Sequence, residues 1–135
     1  MATSSFNKAN NFVVLLCTAA INFSAAGSQI MALCSNTAPN AAWTTVSQIS
    51  ELATAGGYTA GGQDIQNDGS GSAGTYTVTA VDVTWTGSGS GFTARYIWLA
   101  IGTNVLGWYD YGASQLTGAG ETFVLDFGAS MATIT

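Results

Sequence analysis

The stretch FTARYIWLAIG, residues 92–102, decides the fold. Tyr96 and Trp98 alternate with Arg95, Ile97, Leu99 and Ile101, the two-residue period of a β-strand. From Ile97 to Ile101 both sets are apolar, so the strand is expected to be covered on both faces. Upstream, TYTVTAVDVTWT (75–86) has the same period. Thr77, Thr79, Val81, Val83 and Trp85 fall on one face, and Tyr76, Val78, Ala80 and Asp82 on the other. GSGSG (87–91) then reads as the connection of a long antiparallel hairpin between these two segments. Downstream, NVLGWYDYG (104–112), ETFVLDFGAS (121–130) and MATIT (131–135) are strand-length and bounded by Gly, Asn or Ser, as is SQIMALCS (28–35) before them. About eight short strands with regular turn signals make the expected fold mainly β, an antiparallel β-sandwich of the jelly-roll kind.

Two helices are expected beside the strands. In SSFNKANNFVVLLCTAAINF (4–23), Ser4 or Ser5 is a candidate N-cap. Phe6, Val13, Leu16, Cys17, Ala20 and Ile21 recur at helical spacing, with an end near Gly27. Val14 and Leu15 fall on other faces, so this helix is apolar nearly all round and is expected to be covered on more than one side, by a partner subunit. In TTVSQISELATAGG (44–57), Thr45 and Gln48 form a capping-box pair, Val46, Ile49, Leu52 and Ala53 a stripe, and Gly56-Gly57 a stop. The expected organisation is a helical arm over 1–27 and one β-sandwich domain over 28–135, with a short helix at about 45–55.

Composition excludes several function classes. Of 135 residues only 7% are charged, with two cations, seven carboxylates and no His, and the net charge is −5. Lys8 and Arg95 cannot neutralise a phosphate backbone or dock on an anionic membrane. Without His a Ser-His-Asp triad cannot be built. Cys17 and Cys34 lack a metal-type spacing and read as free buried thiols. The apolar run before Ser24-Ala25-Ala26 resembles a signal-peptide core, but Lys8 alone supplies upstream charge and the run is too short to span a bilayer, so an unprocessed cytosolic chain is expected. The surface must therefore be Ser, Thr, Asn, Gln and Gly, or be covered by other subunits.

The candidate chemical motifs are weak. Asp64, Gln66, Asp68 and Gly69 imitate the first half of a calcium loop, but the closing Glu position is Thr75, which leaves an acidic hairpin turn as the simpler reading. The glycine strings at 56–62 and 87–91 lack the helix N-terminus and cation of a phosphate loop. Asp110, Glu121 and Asp126, with Trp108, Tyr109 and Tyr111, are candidates for paired-carboxylate glycoside hydrolysis or sugar stacking. Aromatic residues flanking an Asp in a strand more often form a half-buried face with a turn hydrogen bond. No catalytic residue, cofactor or metal is assigned.

Six segments in order, MATSSFNKANNF (1–12), NTAP (36–39), GGYTAGG (56–62), RYIWL (95–99), GWYDYG (107–112) and GETFVLDF (120–127), resemble a family of small tailed-bacteriophage structural proteins, some of which are similar to jelly-roll capsid cement, or decoration, proteins. The resemblance implies a virion protein without enzymatic activity, a dimer or trimer bound to the major capsid protein on the outer capsid surface after assembly in the host cytoplasm. The expected contact residues are Phe6, Phe12, Val14 and Leu15 of the over-apolar first helix, and Trp98, Trp108, Tyr109 and Tyr111, aromatic anchors of the kind that dominates interface energies. A tail-tube or tail-tip subunit and a carbohydrate-binding module are the alternatives.

Overall fold

The computed structural model describes residues 5–24 and 29–135. Along the chain come β1 (Asn7–Lys8), α1 (Asn11–Cys17), β2 (Ile30–Ser35), β3 (Gln63–Asp64), β4 (Asp68–Ser72), β5 (Thr75–Thr79), β6 (Val83–Thr86), β7 (Phe92–Ile101), β8 (Asn104–Thr117), β9 (Thr122–Leu125) and β10 (Ala132–Ile134). The fold is mainly β and its strand pairs are antiparallel. A five-stranded sheet in the order β1-β8-β7-β2-β3 faces a three-stranded sheet, β10-β5-β4, and a two-stranded one, β6-β9. The main core lies between them: Ile30, Ala32, Cys34, Ile97, Leu99 and Leu106 from the large sheet meet Val78, Val83, Trp85, Phe123 and Leu125 from the small ones. Each such fully buried aliphatic or Phe side chain contributes about 1.5–3 kcal/mol.

β7 is buried on both faces from Tyr96 to Ile101, as its sequence requires. Its even positions Tyr96, Trp98 and Ala100 point to a second cluster with Leu33, Ile49 and Val105. Its partners differ from the expected ones. β7 pairs with β8 across a two-residue turn, Ile101 opposite Asn104, and with β2 on its other edge. Gly102 at φ +56 opens that turn, the position where a II′ turn requires a positive φ. Residues 75–86 do not form one strand. β5 pairs with β4 and β10, whereas β6 pairs with β9 in another sheet. Val78 is buried before the break and Val83 and Trp85 after it, so the inward parity switches from even to odd across 80–82, where Val81 lies exposed. The long hairpin read from the alternation fails there: a change of sheet and a straight strand share the same local period.

Both helices are shorter than their patterns. α1 ends at Cys17 in a Schellman motif: Ala20 N–H donates to the Leu15 carbonyl at 2.9 Å and Ala19 N–H to Leu16 at 3.2 Å, with Ala19 at φ +53. Upstream, Asn7 and Lys8 are taken as an edge strand on β8, and Phe6 packs over Gly107, where an added Cβ would stand 2.4 Å from the Phe6 ring. The expected cap Ser4 and stop Gly27 lie outside the described residues. Phe12, Leu15, Ile21 and Phe23 join the main core, so the segment assigned to an arm is packed into the β domain. The expected helix at 45–55 is a single 3-10 turn, Val46–Gln48. Gln48 does cap it, its carboxamide oxygen accepting the Thr45 N–H at 3.0 Å. The helix stops because the buried Ser35 hydroxyl donates to the Ile49 carbonyl at 2.7 Å, Ser50 turns to φ +49, and Leu52 N–H donates to Cys34.

Candidate functional site

Two register shifts along β7 and β8 shape the region around GWYDYG. At the first, Leu99 pairs with Gly107 and Ala100 with Val105, so Leu106 is extra and turns into the main core. At the second, Ala94 pairs with Gln115 and Tyr96 with Asp110, leaving residues 111–114 opposite Arg95 alone. This wide bulge is pinned at its base: the Arg95 guanidinium donates to both Asp110 oxygens, Nε to Oδ1 at 2.8 Å and Nη2 to Oδ2 at 3.1 Å, and Gly112 N–H donates to Oδ1 at 2.8 Å. Those bonds hold the Asp110 carboxyl below the usual carboxylate range, the Arg95 hydrogen bond contributing most. Asp110 is thus an ion-pair partner and turn acceptor. The sequence reading anticipated the turn bond and missed Arg95, which lies fifteen positions away and meets Asp110 only through the strand pairing.

The other carboxylates also accept backbone N–H groups, four of them within three residues, Glu51 ten positions away and Asp82 forty-five positions away. Glu121 Oε2 accepts from Gly118 N–H at 2.8 Å, Asp126 from Gly128 at 2.7 Å, Asp82 from Phe127 at 2.9 Å, Asp64 from Gln66 at 2.9 Å and Asp68 from Gly69 at 2.7 Å. Glu51 Oε1 accepts from Gly61 N–H at 2.6 Å and from the Tyr58 hydroxyl at 2.5 Å, while the Tyr58 oxygen receives the Cys34 N–H at 3.1 Å. Burial, reinforced by the Glu51 bond, pushes the Tyr58 hydroxyl far above its ordinary value. All seven carboxylates of the chain thereby accept a backbone N–H of their own chain. The signal for two of them was legible, since Asp-x-Gly in DYG and DFG is the Asx-turn pattern.

The expected contact residues divide by burial. Phe12, Leu15, Tyr109 and Tyr111 are buried in the main core and Trp98 in the second cluster, between Trp43 at 5.6 Å and Trp108 at 5.1 Å. Their area is already covered by their own chain. Phe6 and Trp108 are half-buried. Val14 is 55% exposed, beside Val13 at 45%; Leu116, at 67%, is the most exposed large apolar side chain described, and nothing in the sequence singled it out. Cys34 is buried as expected, with its thiol pushed up by desolvation, but Cys17 is exposed.

The glycine strings have a packing role. An added Cβ on Gly56 would stand 1.8 Å from the Gly91 oxygen, and one on Gly87 2.1 Å from the Gly118 oxygen. Ser88 N–H donates to Gly56 and Gly120 N–H to Gly87, both at 2.9 Å. Loops 56–57, 87–91 and 118–120 are therefore nested backbone against backbone. The 61–74 stretch holds β4 and its turn into β5, an acidic hairpin.

Comparison with protein-family models, curated proteins and solved structures found no match.

Proposed function

We propose that the chain is a structural subunit of a tailed-bacteriophage particle, a cement protein that binds the outer surface of the major capsid protein shell as a homo-oligomer. The observation that carries this reading is the commitment of all seven carboxylates to backbone N–H groups of their own chain, five of them within three residues. The acidic groups stabilise loops, which leaves Gly, Ser, Thr, Asn and Gln to face outward. Many weak uncharged contacts repeated by symmetry suit a shell-binding protein better than exposed ion pairs, each worth ~0–1 kcal/mol. The ordered resemblance of the six sequence segments is the support for assigning it to such a particle. A jelly roll belongs to the same proposal; the described strands divide five, three and two. Among the described residues no helix is long and apolar enough to cross a membrane.

Co-sedimentation tests the proposal. The purified protein is expected to pellet with expanded, mature capsids and to raise their resistance to heat. Recovery with purified tails and absence from DNA-filled heads would support a tail subunit instead. A sugar-binding module is disfavoured by the burial of Tyr109 and Tyr111, two of the three candidate stacking rings, with Trp108 half-buried, since stacking on a sugar needs open ring faces. Signal on a glycan array would reverse that judgement.

A further inference from the structure

A small cavity of about 180 Å³ opens beside the β8–β9 layer, lined by Phe6, Tyr109, Phe127, Met131, Ser130 and Asp126. Phe6 and Phe127 flank the Tyr109 ring at centroid distances of 5.5 and 6.0 Å. Tyr109 is 4% exposed, yet its hydroxyl makes no hydrogen bond among the described residues. Its oxygen is not fully enclosed, since the described buried polar atoms without a partner are the Trp85 and Trp98 indole nitrogens, so it stays open to solvent and to a ligand's donor. Asp126 is exposed and uses Oδ1 for the Gly128 N–H, with no cationic partner among the described residues. The cavity thus combines aromatic walls, one unpartnered oxygen and one carboxylate, in a chain of net charge −5.

We propose that this cavity is a docking site for one lysine side chain of a protein partner. The unbranched alkyl stem would lie on Phe6, Phe127 and Met131, and the ammonium would meet the Tyr109 oxygen, Asp126 and the ring faces. The volume fits a single side chain and falls below the roughly 300–1,000 Å³ of pockets for larger ligands. The compact ammonium on an unbranched stem fits this small volume better than the broader planar guanidinium, which favours lysine over arginine. This inference stands apart from the capsid proposal and survives its failure.

The test is an NMR titration of the full chain, reading the ring signals of Phe6, Tyr109 and Phe127. n-Butylammonium and Nα-acetyl-lysine N-methylamide are expected to shift them saturably and alike, roughly fivefold more tightly than n-butanol and more tightly than n-butylguanidinium. Asp126→Asn keeps an acceptor for Gly128 and is expected to reduce the ammonium to the level of the alcohol. Tyr109→Phe, which removes only the hydroxyl, is expected to weaken the ammonium and not the alcohol. Equal binding of alcohol and ammonium, unchanged binding by Asp126→Asn, tighter binding of the guanidinium, or binding of free putrescine without the blocked lysine would each overturn the assignment.

Discussion

The Arg95–Asp110 pair gives the molecule an acid-sensitive residue with a defined sign. Arg95 lowers the Asp110 pKa in the fold, so the pair's stabilisation is complete above the unfolded carboxyl value of about 3.9 and disappears as pH falls through the lower folded value. Both side chains are about one-third exposed, 36% and 35%, so solvent screens the pair and the effect is modest. Asp110→Asn is expected to flatten the acid limb of stability against pH, measured as the urea midpoint from neutral pH downward. A parallel limb in the variant would show that other carboxylates carry it. Trp98 makes a contrasting case. Its side chain is fully buried but its indole N–H has no hydrogen-bond partner among the described residues. Trp98→Phe therefore gives up area but also removes an unpaired donor, and is expected to cost under about 1.5 kcal/mol, against about 3–5 kcal/mol for Trp98→Ala, by urea denaturation.

At the scale of elements, two joints are testable. α1 closes its Schellman motif with Ala19 at φ +53, where an L-residue costs roughly 1–2 kcal/mol and glycine does not. Glycine loses more entropy on folding, so Ala19→Gly is expected to raise stability by a net ~0.5–1 kcal/mol, read as a higher melting temperature. The nested loops predict the opposite sign. Gly87 is buried, and the Cβ added by Gly87→Ala would stand 2.1 Å from the Gly118 oxygen and 2.5 Å from the Thr117 oxygen. Backbone must move to admit it, and a loss of about 2 kcal/mol or more is expected in the same melting experiment.

Across the whole molecule the two thiols report folding. Cys17 is exposed on α1, while Cys34 lies at 0% exposure in β2 under the main core. In native conditions one thiol per chain is expected to react promptly with a thiol reagent, and the second only on unfolding, so its labelling rate follows opening of the large sheet. Prompt labelling of both would mean that β2 leaves β7 in the native state. The same comparison extends to the N-terminal segment: with Phe12, Leu15, Ile21 and Phe23 in the core, labelling of Cys34 should accelerate when that segment is deleted.

The sequence by itself determined the all-antiparallel β class, the double burial of residues 97–101, the strand-length segments and the shortage of ionic chemistry, because alternation, turn residues and composition are local properties. It also held the two Asx turns of DYG and DFG. It could not determine strand partners. Residues 75–86 alternate without a visible break, and only the packing of Val78, Val83 and Trp85 into one core divides them between two sheets. Tertiary structure likewise decided that Arg95 meets Asp110, that Ser35 halts the second helix and that Tyr109 lines a cavity with Asp126. Each depends on backbone brought together from distant parts of the chain, where core packing outweighs the fraction of a kcal/mol per residue that local propensity supplies.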